Sequence, residues 1–371
     1  MALAVAMVAL PALAQESAKT QAARSPDVPP NPAASADDSA DLSDTNVRAF
    51  RVHVRDLFNQ GAYPELDTLA GQLRSQRLRF KGGAWQLNTF YNTVGSAGSL
   101  TATDAEWQSR IAKLEQWIEV SPASPTPRVA LAHAYLRFAW KARGNGLANT
   151  VTPEGWALFR QRVQSARAVL EDAAKTSGRD PQWYLEVQTV ARAQGWDRTQ
   201  ADALAAEALA NEPGYYYFAV AQANYLLPKW YGKRGESEQY AEQVADQASG
   251  SDGDATYFQI AAALNCCGKT QARALSWPRV KQGFSAIDQL YGATQHQRNV
   301  MAWLALRAGD SETAQQMFAR IGNDWNESVW KTKALFDASR TGQPVSNTQP
   351  LKADAAVSSA ASGNGAEAVP Q

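Results

Sequence analysis

Three histidines and two cysteines are the residues best suited to nucleophilic or metal chemistry in this 371-residue chain, and their spacing argues against both uses. His53, His133 and His296 fall in different predicted helices with no second good ligand beside them, whereas a zinc site or a Ser-His-Asp triad needs a cluster. His133 sits in the apolar stretch from Ala130 to Tyr135, the setting of a core or groove histidine. His53 and His296 read as surface residues. Cys266 and Cys267 are adjacent, and neighbours bridge only through a strained ring. They read as two small helix-end residues that pack as weak hydrophobes, with a thiol or soft-metal sensor as the functional alternative. Asp252-Gly253-Asp254 spaces two carboxylates like the start of a calcium loop but lacks the acid that closes one, so it reads as a solvated turn. Gly82-Gly83 and Gly144-Asn145-Gly146 lack the lysine and hydroxyl residue that follow in a phosphate loop. No catalytic cluster and no cofactor are expected.

Recognition chemistry is better represented. Twelve tryptophans and twelve tyrosines include Trp183-Tyr184, Tyr215-Tyr216-Tyr217 and Trp230-Tyr231, with Arg137, Arg143, Arg192, Lys229, Lys233 and Arg234 interleaved. Aromatic anchors beside arginine are what protein-binding surfaces use; the same rings also fill helical-repeat cores. The segment around Trp140, Arg143, Trp156, Tyr216, Lys229 and Trp230 is the candidate site, because its Gly-Asn-Gly and Pro-Lys-Trp-Tyr-Gly breaks depart from the surrounding pattern. Arg143 and Lys229 are taken there as cations without a packing role. The alternative is that the breaks only let a long helix pair turn over Trp140 and Trp156.

These side chains need helices to position them. Apolar residues recur at helical spacing and strand-like alternation is almost absent. Trp107, Ile111, Leu114, Trp117 and Ile118 share one face behind a Thr103–Glu106 capping box. Thr152-Pro153-Glu154 starts a helix whose stripe is Trp156, Phe159, Val163, Ala166 and Leu170. Ser276-Trp277-Pro278 opens another, with Val280, Phe284, Ile287 and Tyr291. Gly82-Gly83 interrupts any helix over 79–87 and leaves a loop or short extended segment. The fold class is all-α.

Pro181 and Pro213 lie 32 residues apart (213 − 181) between helix pairs, close to a tetratricopeptide period. A unit begun at Tyr184 puts Ala191, Ala203 and Ala210 where helices approach most closely, and one begun at Gln295 places Ala302, Gly309, Ala314 and Phe318. Over 184–211 and 295–321 the chain resembles the tetratricopeptide-like superhelical class, an α-solenoid. Phe138 to Gly144, Asn149 to Trp156, Glu212 to Tyr216 and Leu226 to Trp230 also resemble an uncharacterised family of bacterial exported proteins, a domain of unknown function. That resemblance implies a helical-repeat fold and carries no activity.

Residues 1–14 form an uncharged apolar run ending in Ala12-Leu13-Ala14, the pattern of a signal peptide. Residues 15–44 and 341–371 are small and polar and read as a disordered linker and tail around a helical-repeat domain at 45–340. Export implies a periplasmic or secreted bacterial protein. Lys plus Arg and Asp plus Glu both number 36, so no field points to nucleic acid, and no membrane span is expected. The composite expectation is a non-catalytic envelope protein that holds a protein or peptide partner in a helical groove. Its rival is an enzyme acting on cell-wall polymer from a helical scaffold.

Overall fold

The computed structural model describes residues 44–98, 101–144, 148–176, 180–248, 250–265 and 274–342. Residues 1–43 and 343–371, Cys266, Cys267 and Asn145 to Leu147 lie outside the described residues, and with them the signal-peptide, linker, tail and thiol expectations.

The described residues form sixteen α-helices: α1 (Thr45–Gln60), α2 (Tyr63–Gln76), α3 (Gln86–Val94), α4 (Asp104–Val120), α5 (Thr126–Arg143), α6 (Pro153–Ala173), α7 (Pro181–Gln194), α8 (Arg198–Asn211), α9 (Tyr217–Tyr225), α10 (Glu236–Ala248), α11 (Gly250–Asn265), α12 (Trp277–Tyr291), α13 (Gln295–Ala308), α14 (Ser311–Ile321), α15 (Glu327–Trp330) and α16 (Lys333–Arg340). Lys81–Gly83 and Ala148–Thr150 are short 3₁₀ turns. Among the described residues there is no strand, and Arg79 and Trp85 make an isolated antiparallel bridge. No helix among them is long and apolar enough to cross a membrane.

Caps written in the sequence set the helix starts. The Thr103 side chain accepts from Glu106 N and Glu106 returns a bond to Thr103 N, closing the capping box of α4. Thr152 accepts from Gly155 N ahead of Pro153 in α6, and Asp310 accepts from Thr313 N in α14. The predicted stripes face inward: Trp107, Ile111, Leu114 and Trp117 of α4, Phe159, Val163, Ala166 and Leu170 of α6, and Val280, Phe284 and Ile287 of α12 are buried. Burying each large apolar side chain contributes about 1.5–3 kcal/mol.

Connectivity shows how these faces meet. Helix α3 touches α5, α5 touches α7, α7 touches α9, α9 touches α11, and α11 touches α13, so the odd-numbered helices form a continuous layer. The even-numbered helices α4, α6, α8, α10, α12 and α14 pack on their odd-numbered neighbours. At one end α1 and α2 pack on each other and on α3, and the Lys81–Gly83 turn packs on α12, far along the stack.

Two sequence expectations are corrected. Ala203 and Ala210 are exposed; α8 buries Ala201, Leu204, Ala205 and Ala208 instead. The cause is the start of the unit, since Pro181 already occupies the first turn of α7 and the turn after it carries the extra residue Trp196. In the segment from Gln295, Ala302, Ala314 and Phe318 are buried and Gly309 caps α13 at φ 76°. Asp252-Gly253-Asp254 is not a turn but part of the first turns of α11. A Cβ on Gly253 would stand 2.1 Å from the Ala245 carbonyl oxygen, so glycine is what lets α10 and α11 meet this closely.

Candidate functional site

Arg143 ends α5, where the helix dipole favours a cation, and Gly144 follows as its cap at φ 72°. Its guanidinium carbon lies 5.8 Å from the Trp140 ring centroid and 5.6 Å from that of Trp156, within cation–π range of both. Trp156 is delivered by the first turn of α6 and also meets Phe159, which packs edge-on against Trp140 at 5.0 Å.

The second half of the cluster comes from the turn after α9. Trp230 meets Trp140 edge to face at 6.4 Å and 82°. On its other side the Arg192 guanidinium of α7 stands 5.6 Å from the Trp230 ring. Tyr231 donates its hydroxyl to the Arg192 carbonyl at 2.8 Å and stacks on Tyr225 at 4.8 Å. Glycine makes this turn possible, because a Cβ on Gly232 would fall 1.9 Å from the Leu226 carbonyl oxygen.

Four of the six predicted residues, Trp140, Arg143, Trp156 and Trp230, therefore converge. Lys229 is half-buried in the same turn as Trp230. Tyr216 is stacked on Tyr217 at 4.2 Å and lines a separate cavity. Arg143 is only 4 % exposed, so it does have a packing role, contrary to the expectation from charge alone. Burial lowers its guanidinium from the ordinary arginine value. The indole N–H groups of Trp140 and Trp230 are buried without a hydrogen-bond partner.

The histidines lie away from this cluster. His53 is exposed and His296 half-buried. His133 is buried, its Nδ1 2.7 Å from Glu186 Oε1. Glu186 also accepts from Gln182 Nε2 at 2.6 Å, and Gln182 Oε1 accepts from Asn88 Nδ2 at 3.2 Å and from the Tyr215 hydroxyl at 2.5 Å. Alongside, Asp180 accepts from Arg74 at 2.6 Å and from the Tyr91 hydroxyl. This buried polar chain joins α3, α5, α7 and the start of α9 and fixes their register.

The cavity touched by Tyr216 measures about 200 Å³ and is lined by Arg79, Gly83, Gly214, Thr256 and Tyr291 among others. Arg79 lies 3.8 Å over the Trp85 ring and 5.7 Å from that of Tyr291. Sequence reasoning missed it because Arg79 precedes what reads as a plain loop. The available signal was Gly82-Gly83, whose φ angles of 78° and 82° build the turn. No protein-family model, no curated protein and no solved structure matches this chain.

Proposed function

We propose that this chain is a non-catalytic binding or scaffold protein of the bacterial envelope, built as a tetratricopeptide-like superhelix that holds a protein segment. The convergence of Trp140, Arg143, Trp156 and Trp230 from three stretches of sequence carries the proposal, since clustered tryptophan and arginine are the residues that dominate protein–protein binding energy. The two-layer packing of odd- and even-numbered helices supports the superhelical reading.

The purified chain, immobilised and exposed to envelope extract, should retain a discrete partner whose capture falls when Trp230 is replaced by alanine. The same extract incubated with soluble chain should show no new cleavage products. Reproducible turnover abolished by a single carboxylate substitution would move the protein to the rival class, an enzyme acting on cell-wall polymer.

A further inference from the structure

The cavity between the Lys81–Gly83 turn and helices α11 and α12 is built around one cation. Arg79 donates to the Gly83 carbonyl at 3.4 Å and lies against Trp85. Among the described residues it has no carboxylate within ion-pair distance. Its other N–H groups are therefore without a charged acceptor at the wall of the ≈ 200 Å³ space.

Glycines keep that space open. A Cβ on Gly214 would stand 2.9 Å from Arg79 Nη2, and one on Gly83 would stand 2.9 Å from the Tyr291 ring. Tyr216 and Tyr291 supply aromatic walls, Thr256 adds a polar lining residue, and Asp252, also in the lining, is exposed.

We propose that this cavity binds the α-carboxylate of an amino acid or of a short peptide's C-terminus, held by Arg79 and flanked by Tyr216 and Tyr291. A planar guanidinium fork matches a carboxylate with two parallel hydrogen bonds. Phosphate fits the same fork but brings nearly two negative charges beside Asp252, which would repel them. Asp252 instead suits the ammonium end of a zwitterion. The volume accommodates an amino acid or the last residues of a peptide, and the aromatic walls accept its side chain. This site is separate from the Arg143 cluster and does not depend on the reading given to it.

Calorimetric titration of the full chain tests the assignment with alanine, alanylalanine, alanylalanine amide, N-acetylalanine and inorganic phosphate. Alanylalanine should bind, and its amide should bind at least about tenfold more weakly, the loss expected for one charge-assisted pair. Phosphate should bind more weakly than either carboxylate-bearing form. Asp252→Asn should weaken alanine and alanylalanine while sparing N-acetylalanine. Alanine and alanylalanine binding equally would mark a free amino acid as the ligand, and alanylalanine binding more tightly would mark a peptide end.

Arg79→Met keeps an aliphatic stem against Trp85 and should abolish carboxylate binding. Should that variant fail to fold, Gly214→Ala retains the charge and displaces the guanidinium, with the same loss expected. Binding that ignores the amide cap, survives both substitutions, or is absent for every carboxylate at ~10 mM overturns the proposal.

Discussion

The Gln297 side-chain amide donates to the Gly82 carbonyl at 2.8 Å, across 215 residues of sequence. The Gly82 N–H donates in turn to the Gly292 carbonyl at 3.0 Å. These bonds pin a turn near the start of the described fold to helices near its end.

Gly82→Ala should therefore destabilise the chain well beyond its local turn. The residue sits at φ 78°, and a Cβ there would lie 2.5 Å from Gln297 Oε1. A loss of about 1–3 kcal/mol is expected in urea denaturation. Gln297→Ala should cost about 1–2 kcal/mol, since it removes both the bond to Gly82 and the capping-box bond that Gln297 Oε1 accepts from Thr294 N. Wild-type stability for both variants would show that the turn is not anchored.

Arg143 and Lys229 should separate by stability. Arg143 is packed between two indole rings, so Arg143→Ala is expected to lower stability by about 1–2 kcal/mol through lost stacking and stem packing. Lys229→Ala, at a half-buried position outside the ring cluster, should cost less, about 0.5–1 kcal/mol. Both should weaken binding of the captured partner, Lys229 by roughly 1–3 kcal/mol for a charge-assisted contact and the buried Arg143 by loosening the rings it supports. Thermal melts alongside titration of that partner measure the two effects independently. An Arg143 variant that loses stability but binds as before would identify the cluster as architecture alone.

Asp310 predicts an acid-sensitive contribution. Burial opposes its charge, but the Thr313 N–H, Trp277 indole, Lys281 ammonium and Thr313 hydroxyl outweigh burial and hold its carboxyl well below the usual range. A carboxyl depressed in the folded state adds stability above its unfolded value, and that stability is lost as pH falls below about 4. Asp310→Ala should cost about 1–2 kcal/mol at neutral pH as a lost cap, and the gap to wild type should narrow at pH ~3. A gap independent of pH would place the effect in packing.

Helix contacts at glycine offer a sharper test. A Cβ on Gly283 would stand 2.3 Å from the Asp254 carbonyl oxygen and 2.8 Å from Phe258 Cβ. Gly283→Ala, though favourable for helix propensity, should separate α11 from α12 and cost roughly 1–3 kcal/mol as overpacking. A stabilised variant would mean that the two helices are not in such close contact.

What the sequence carried and what it did not follows from the range of the interactions. The Thr103 capping box, the Thr152 cap and the stripes of α4, α6 and α12 are legible because their partners lie within a few residues. The convergence of Trp140, Arg143, Trp156 and Trp230 was within reach because each sits beside a break in the pattern. Tyr216 belongs with Arg79 and Tyr291 instead, and no local signal joins residues so far apart. The register of α7 and α8 slipped because alanines are frequent enough there to fit more than one frame. The Asp252-Gly253-Asp254 segment misled because its glycine answers to α10 across a helix contact rather than to its own backbone.

Helices that pack only on their neighbours along a layer open from its free ends inward. The bond between Gln297 and Gly82 changes that behaviour, since the helices from α3 to α13 cannot open at one end without breaking contact at the other. Hydrogen exchange should show this span protected as a single cooperative body, with α14 to α16 exchanging first. Closure over so long a loop also raises the contact order, so the final docking of the turn should be slow relative to formation of the individual helices.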